Sequence, residues 1–348
     1  MEHRSRTLDT TTSAARLAPP SLSEEALTEL LGRVSRTFAL SNRLLPGPLR
    51  RAMTVAYLLF RVSDYLEDNA VMSRERKVRL LHLWERVLSG AGGDERLSRE
   101  LDALQDDDPE AEVARRFPEL TRSLSALGEA QDAAVRRRVR ETTRGMARRQ
   151  LQGPVVETEE DLDAYMHDVA GIVGYLITEI FSLFDARLAR RRGVMMTLGR
   201  EYGLGLQTVN VIRGLRKDYA RGWLFVPLRY LEDSGLSQRQ FLSPVYADRS
   251  MQVLKRLIEK AEAHLRHGLQ YVVQIPRSLH RVRLATMWPL LFAARTLAVS
   301  RDNMDVLRSE AKMSRTDVER IVRQTALFGW SNSWLERYHE RLLSGEGV

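Results

Sequence analysis

The chain has 348 residues, 43% of them hydrophobic, which is enough to close a sizeable core in one large domain or two smaller ones. It contains no cysteine, which excludes disulfides and thiolate metal sites and fits a reducing compartment such as the cytoplasm. The formal charge of +8 favours anionic partners. No basic stretch is interleaved with aromatics and no nucleic-acid motif occurs, so nucleic acid is not an expected partner.

The opening residues lack an apolar core of signal-peptide length, and residues 1–22 are expected to form a disordered tail. After Pro19-Pro20, "SLSEEAL" pairs a serine N-cap with first-turn glutamates, which starts a helix. Helical periodicity runs through "VSRTFALSNRLL", pauses at Pro46-Gly47-Pro48, and resumes from Leu49 to about Asn69. Charged helices follow, separated by "SGAGGDE" and "QDDDPEAE", which read as surface loops. Further helices are expected over about Leu124–Leu151, from near Asp161 through "AYMHDVAGIVGYLITEIFSLF", and over about Val194–Tyr219. The last third alternates helices with short turns. No segment has strand periodicity, no repeat has a fixed period, and no linker interrupts the middle. One all-α domain over 23–345 is the simplest reading. No run of ~20 apolar residues is free of charge, so no transmembrane span is expected. Peripheral attachment to an anionic membrane is compatible with the positive charge.

The run "SDYLEDN", Ser63–Asn69, raises the chemistry of the chain. A helix turns about 100° per residue, so Tyr57, Arg61, Asp64 and Asp68 form one narrow stripe among apolar neighbours. Carboxylates one turn apart suit hard cations such as Mg²⁺, which takes oxygen ligands and leaves positions open for phosphate oxygens. A nearby arginine adds a bidentate phosphate contact. The plain alternative is a solvated acidic turn in which Arg61 pairs with Asp64 or Glu67 at helical spacing.

Three further segments bear on that choice. "VSRTF" sets Arg36 between apolar neighbours, where it needs an anionic partner or a route to solvent. "YMHDVAGIVGYL" places Ala170, Gly171 and Gly174 at small-residue spacing about two turns after Tyr165, for close approach of another helix or of a ligand. In "LQTVNVIRGLRKDYARGWLFVP", Gln207, Asn210, Arg213, Gly214, Lys217, Asp218 and Arg221 share one broad polar face. The segment is too apolar elsewhere for a plain surface helix, which points to a polar-lined cavity.

Together these segments, with "RGMA", "YVVQIPRS" and "VRLATMWPLLFAARTLA", resemble the squalene/phytoene synthase family, and the squalene branch more than the phytoene branch. The likeness implies an all-α isoprenoid-synthase fold, a helical bundle around a central cavity, in which two Asp-rich helices hold Mg²⁺ against prenyl diphosphates. It implies head-to-head coupling of two farnesyl diphosphates through a cyclopropyl diphosphate, then reduction to squalene by NADPH, or a related thirty-carbon product without reduction. Carried over by matching position, Asp64, Glu67 and Asp68 bind Mg²⁺, with Asp218 as a further candidate ligand. Arg36, Arg61, Arg213 and Arg221 hold diphosphate, Gln207 and Asn210 sit beside the second site, and Tyr57 and Tyr165 line the cavity. Tyr165 is the candidate for handling the proton or stabilising the cation. No GxGxxG unit is present from which NADPH use can be read, and the membrane anchor of some relatives is not expected.

The second motif departs from the family pattern NxxRDxxxD. Gly214 stands where the first Asp is expected and Lys217 stands just before Asp218. Positive charge there opposes a second cation. Three outcomes stay open: Lys217 binds the second diphosphate directly and coupling continues; only one diphosphate is ionised, for cyclisation or prenyl transfer; or catalysis is lost and the protein is a binding partner. Oligomeric state is not legible.

Overall fold

The structure, a computed structural model, describes residues 20–346, and most of the expected tail lies outside them. Leu22, the last residue of that tail, is buried, and its backbone N–H donates to Ser123 Oγ at 2.8 Å. Eighteen α-helices are present among the described residues, and no strand. They are α1 (Glu24–Val34), α2 (Arg36–Asn42), α3 (Gly47–Asp68), α4 (Arg74–Leu88), α5 (Asp94–Asp102), α6 (Pro109–Arg115), α7 (Phe117–Ser125), α8 (Glu129–Gln152) and α9 (Glu159–Met166). There follow α10 (Ile172–Phe184), α11 (Ala186–Ala189), α12 (Arg192–Ala220), α13 (Leu228–Asp233), α14 (Gln238–Phe241), α15 (Ala247–Gln274), α16 (His280–Ser300), α17 (Arg315–Phe328) and α18 (Asn332–Ser344).

Local chemistry sets the ends. Ser23 caps α1 by accepting from Ala26 N, and Thr158 and Asp161 form a reciprocal capping box at α9. The helix pauses over 43–46 and resumes slightly earlier than expected: Pro46 is the N-cap of α3, and Gly47 and Pro48 open its first turn, where a proline costs no hydrogen bond. The helix expected over Leu124–Leu151 is broken near its start, because Gly128 takes φ +102°, and α8 begins after it.

The expected helix from Asp161 is interrupted by a five-residue π-turn, His167–Gly171, between α9 and α10. Here the small residues have a packing role. A Cβ at Gly174 would fall onto the Gly199 carbonyl oxygen, and one at Gly203 onto that of Ala170, so α10 and α12 meet backbone to backbone. Helix packing is observed at Gly174, and Gly174 and Gly199 also line an apolar cavity.

α12 lies along α15 and α10, α4 along α8, and α3 against α8, α6 and α7. Buried apolar side chains from all of these form one continuous cluster. Two stretches, Glu159–Phe184 and His280–Ser300, are long and apolar enough by composition to cross a membrane, although each carries charged residues. In the second, 67% of the apolar window is buried inside the protein, and its Arg283 is fully buried, which is the pattern of a core helix.

Gly174→Ala should therefore lower stability by about 1–3 kcal/mol through overpacking, whereas Gly32→Ala, with nothing within 4 Å of the added methyl, should be neutral or stabilising. Thermal denaturation of the two variants checks this; equal midpoints would refute the backbone contact.

Candidate active site

The acidic run closes α3, and its last residue, Asp68, meets Arg221 just past the C-terminal end of α12. Arg61 donates to Tyr57 Oη through Nε at 2.9 Å and Nη2 at 2.7 Å, and its Nη1 lies 3.2 Å from Asp64 and 3.3 Å from Glu110. The Tyr57 ring stacks on Phe38 at 4.3 Å between centroids, which fixes the phenol that receives Arg61. The stripe expected from helical spacing is thus a hydrogen-bonded chain from Tyr57 to Asp64.

Asp68 is held from the other side. Arg221 lies between the helices, with Nη1 2.8 Å from Asp68 and Nη2 2.5 Å from Asp218, and its Nε is buried without a partner. Asp68 and Arg221 form the wall between two cavities. One, of ≈450 Å³, is also lined by Tyr65, Asp106, Asp108, Glu110 and Lys217. The other, of ≈360 Å³, is lined by Glu67, Arg74, Lys77, Gln150 and Trp223. A third cavity, of ≈210 Å³, is almost wholly apolar and lies deeper, between Phe38, Tyr57, Val173, Ile177, Leu206 and Tyr271.

Glu67 is 8% exposed, so the solvated-turn alternative does not describe it. Burial, then the neighbouring Asp68 and Asp64, push its carboxyl up to about 8. Burial also pushes Asp64 up to about 7 against the opposing charge of Arg61, with Asp68 and Glu110 adding to the rise. Glu110 and Asp218 are raised for the same first reason. Beyond burial, the Asp68 charge raises Asp64, Glu67 and Glu110 alike at this rim, and a divalent cation relieves that like-charge crowding. Among the described residues no three carboxylate or imidazole groups converge on one point. A Mg²⁺ ion there fits one or two carboxylates plus phosphate oxygens from a substrate, the mode this ion favours. The α12 side does not fit a second ion, since Asp218 is paired with Arg221, Gly214 offers no oxygen, and Lys217 is a cation.

The other expected residues divide. Lys217 lines the 450 Å³ cavity and is exposed. Gln207 and Asn210 are hydrogen-bonded to each other at 3.4 Å, with Asn210 facing solvent. Arg213 is engaged by Glu310. Arg36 is exposed and has no ion pair among the described residues. Tyr165 is stacked on Phe225 at 4.4 Å and 4°, and the Arg149 guanidinium lies over its ring at 5.8 Å. Burial first, then the carboxylates of the rim, raise its hydroxyl well above the usual tyrosine range, so it stays protonated.

Several site residues were not legible. "QDDDPEAE" was expected as a surface loop, yet it closes one side of the rim: Glu110 pairs with Arg61, and Asp106 accepts from Tyr65 Oη at 3.1 Å. Lys77, Gln150 and Arg149 gave no sequence signal beyond a charged helix. Trp223 and Phe225 lay within a quoted motif, and their alternation with Leu224 was the available clue.

The squalene/phytoene synthase family profile matches residues 31–317. Human squalene synthase is 28% identical over 296 residues, covering 82% of this chain but 65% of its own length, so the chain spans slightly under two thirds of that relative. The lycopaoctaene synthase of Botryococcus braunii is 26% identical over 318 residues, covering 89% of this chain and 68% of its own. Among solved structures, TcSQS in complex with the ligand BPH1237 aligns with a TM-score of 0.77 at 24% identity, covering 92% of this chain and 91% of that one, a likeness of fold.

Arg221→Met should leave Asp68 and Asp218 facing each other without their shared cation. The midpoint of thermal unfolding in chelator should fall by about 2 °C, and added Mg²⁺ should raise it more than in the unaltered protein. Identical Mg²⁺ shifts would show that Arg221 does not occupy the cation position.

Proposed function

Because the chain belongs to the squalene/phytoene synthase family, we propose that it couples two farnesyl diphosphates head to head, to a cyclopropyl diphosphate and on to a thirty-carbon product. The observation that supports this most is the mixed rim: Asp64, Glu67 and Asp68 on one helix face Lys217, Asp218 and Arg221 on another, above an apolar cavity. A relative of this family makes lycopaoctaene, as its name says, so the family likeness does not choose the product.

In this reading Asp64, Glu67 and Asp68 would hold Mg²⁺, which would supply electrostatic stabilisation of the departing diphosphate. The chain's own residues do the rest. Arg61, oriented by Tyr57, contacts the diphosphate that ionises. Arg221 exchanges its contacts with Asp68 and Asp218 for phosphate oxygens when substrate enters. Lys217 takes the second diphosphate as a point charge in place of the carboxylates that Gly214 and Lys217 replace, with Arg213 and Arg36 further out and Gln207 and Asn210 beside them. The first allylic cation is attacked by the second substrate's double bond, forming a carbon–carbon bond, and loss of a proton closes the cyclopropane. Tyr165, held protonated, presents a π face to the cation and is not the base; the departed diphosphate takes the proton. The apolar walls exclude water, which would quench that cation.

NADPH is proposed only as the hydride source for a squalene product. The described residues include no strand and so offer no strand–helix–strand dinucleotide unit, and no residues are assigned to it.

Incubation with Mg²⁺ and farnesyl diphosphate, with and without NADPH, followed by gas chromatography–mass spectrometry, should give a thirty-carbon hydrocarbon or alcohol. Asp64→Asn should reduce turnover by about 10³-fold or more, as loss of a group acting on the transition state does. Lys217→Ala should abolish coupling while ionisation of a single substrate persists. A fifteen-carbon product from the unaltered protein would favour single-substrate chemistry, and coupling kinetics unchanged by Lys217→Ala would overturn direct diphosphate binding there.

A further inference from the structure

The end of the molecule away from the rim carries its own pattern. α3 runs from Gly47 to Asp68, 22 residues, so its first turn lies about 30 Å from its acidic end at 1.5 Å per residue. Around that first turn four chain segments are tied together by arginines. Arg281 Nε donates to Leu44 O at 2.7 Å, Arg187 Nη1 to Ser278 Oγ at 2.8 Å, Arg191 Nη1 to Gln274 O, and Arg283 Nε to Gly329 O at 2.9 Å. The segments 43–50, 183–192, 274–283 and 326–333 therefore belong to one pole. They hold two, four, three and no arginines respectively, and a single acid, Asp185, which Arg187 already neutralises.

The same pole carries exposed apolar side chains. Leu183 is 50% exposed, Leu327 61%, Phe328 45% and Trp330 54%, and these are the only phenylalanine and tryptophan so exposed among the described residues. Arg190 and Arg277 are exposed, and their side chains make no hydrogen bond or ion pair among the described residues. The apolar cavity extends towards this end, since Leu45, Met53 and Phe181 line it together with Tyr57.

We propose that this pole docks onto an anionic lipid bilayer, with its exposed arginines, Arg190 and Arg277 foremost, against headgroup phosphates and Trp330, Phe328, Leu327 and Leu183 in the interfacial layer. Charge alone would suit any polyanion. The exposed leucines and aromatics select the bilayer, where amphipathic and apolar side chains gain burial that a nucleic-acid backbone does not provide. The orientation leaves the carboxylate rim facing water, where a soluble diphosphate reaches it. The inference does not depend on which product is formed, because it concerns binding in the absence of turnover.

The test is co-sedimentation of the full chain with vesicles of phosphatidylcholine, or of equal parts phosphatidylcholine and phosphatidylserine, at low and high salt. The protein should sediment with the anionic vesicles, weakly with the neutral ones, and less as salt rises. Arg190→Glu with Arg277→Glu should lower the partition coefficient by about 25-fold or more, each cation near an anionic leaflet contributing roughly fivefold. Trp330→Ser should lower it independently. Arg79→Glu with Arg96→Glu makes the same charge change on an exposed basic patch of α4 and α5 and should leave partitioning within about twofold. The proposal is overturned if the unaltered protein stays in the supernatant, if the two double variants lose binding equally, or if Trp330→Ser has no effect and an oligonucleotide displaces the vesicles. The replaced side chains are all exposed, so unchanged circular dichroism should accompany each variant; should Trp330→Ser unfold, the arginine pair still decides.

Discussion

The Arg221 contact between Asp68 and Asp218 is the interaction on which the rest of this site depends. It joins the end of α3 to the end of α12, divides the rim into two cavities, and sets one guanidinium between two acids that would otherwise repel. Arg221 and Asp218 are largely buried and only Asp68 is exposed, so the three groups depend on one another for their neutralisation. The consequence here is positional, because whatever cation or phosphate enters the rim must first replace one of these contacts.

That arrangement accounts for how a rim with so few carboxylates on α12 remains balanced. α3 and the 106–110 segment supply negative charge, while Lys217, Arg221 and Lys77 supply positive charge from the facing side. In the proposed reading the protein itself provides cations to the second diphosphate, and divalent metal serves the first. The backbone contact of α10 with α12 keeps the apolar cavity narrow beneath both.

How much was legible in the sequence depends on the range of the interaction. The boundaries of α12 and the stripe from Tyr57 to Asp68 follow from helical period and were readable to within two residues. The polar face of α12 was readable too, but not its division: Arg213 is occupied by Glu310, nearly a hundred positions away, and no local pattern shows this. Gly171 and Gly174 were ambiguous because ligand approach and helix approach demand the same missing Cβ; the opposing Gly199 shows the helix contact at Gly174, which lines the apolar cavity as well. "QDDDPEAE" looked like solvent-facing loop because its composition is that of one, and its place at the rim is set by how α6 packs on α3.

The central claim is that one rim holds two diphosphates, one with metal and one with the chain's own cations. Calorimetric titration with an unreactive thio analogue of farnesyl diphosphate, in saturating Mg²⁺ and again in chelator, tests it most directly. The account predicts two analogues bound per chain with Mg²⁺, one of which persists in chelator and disappears in Lys217→Ala. A single analogue per chain, or two that both require Mg²⁺ and ignore Lys217, would contradict it.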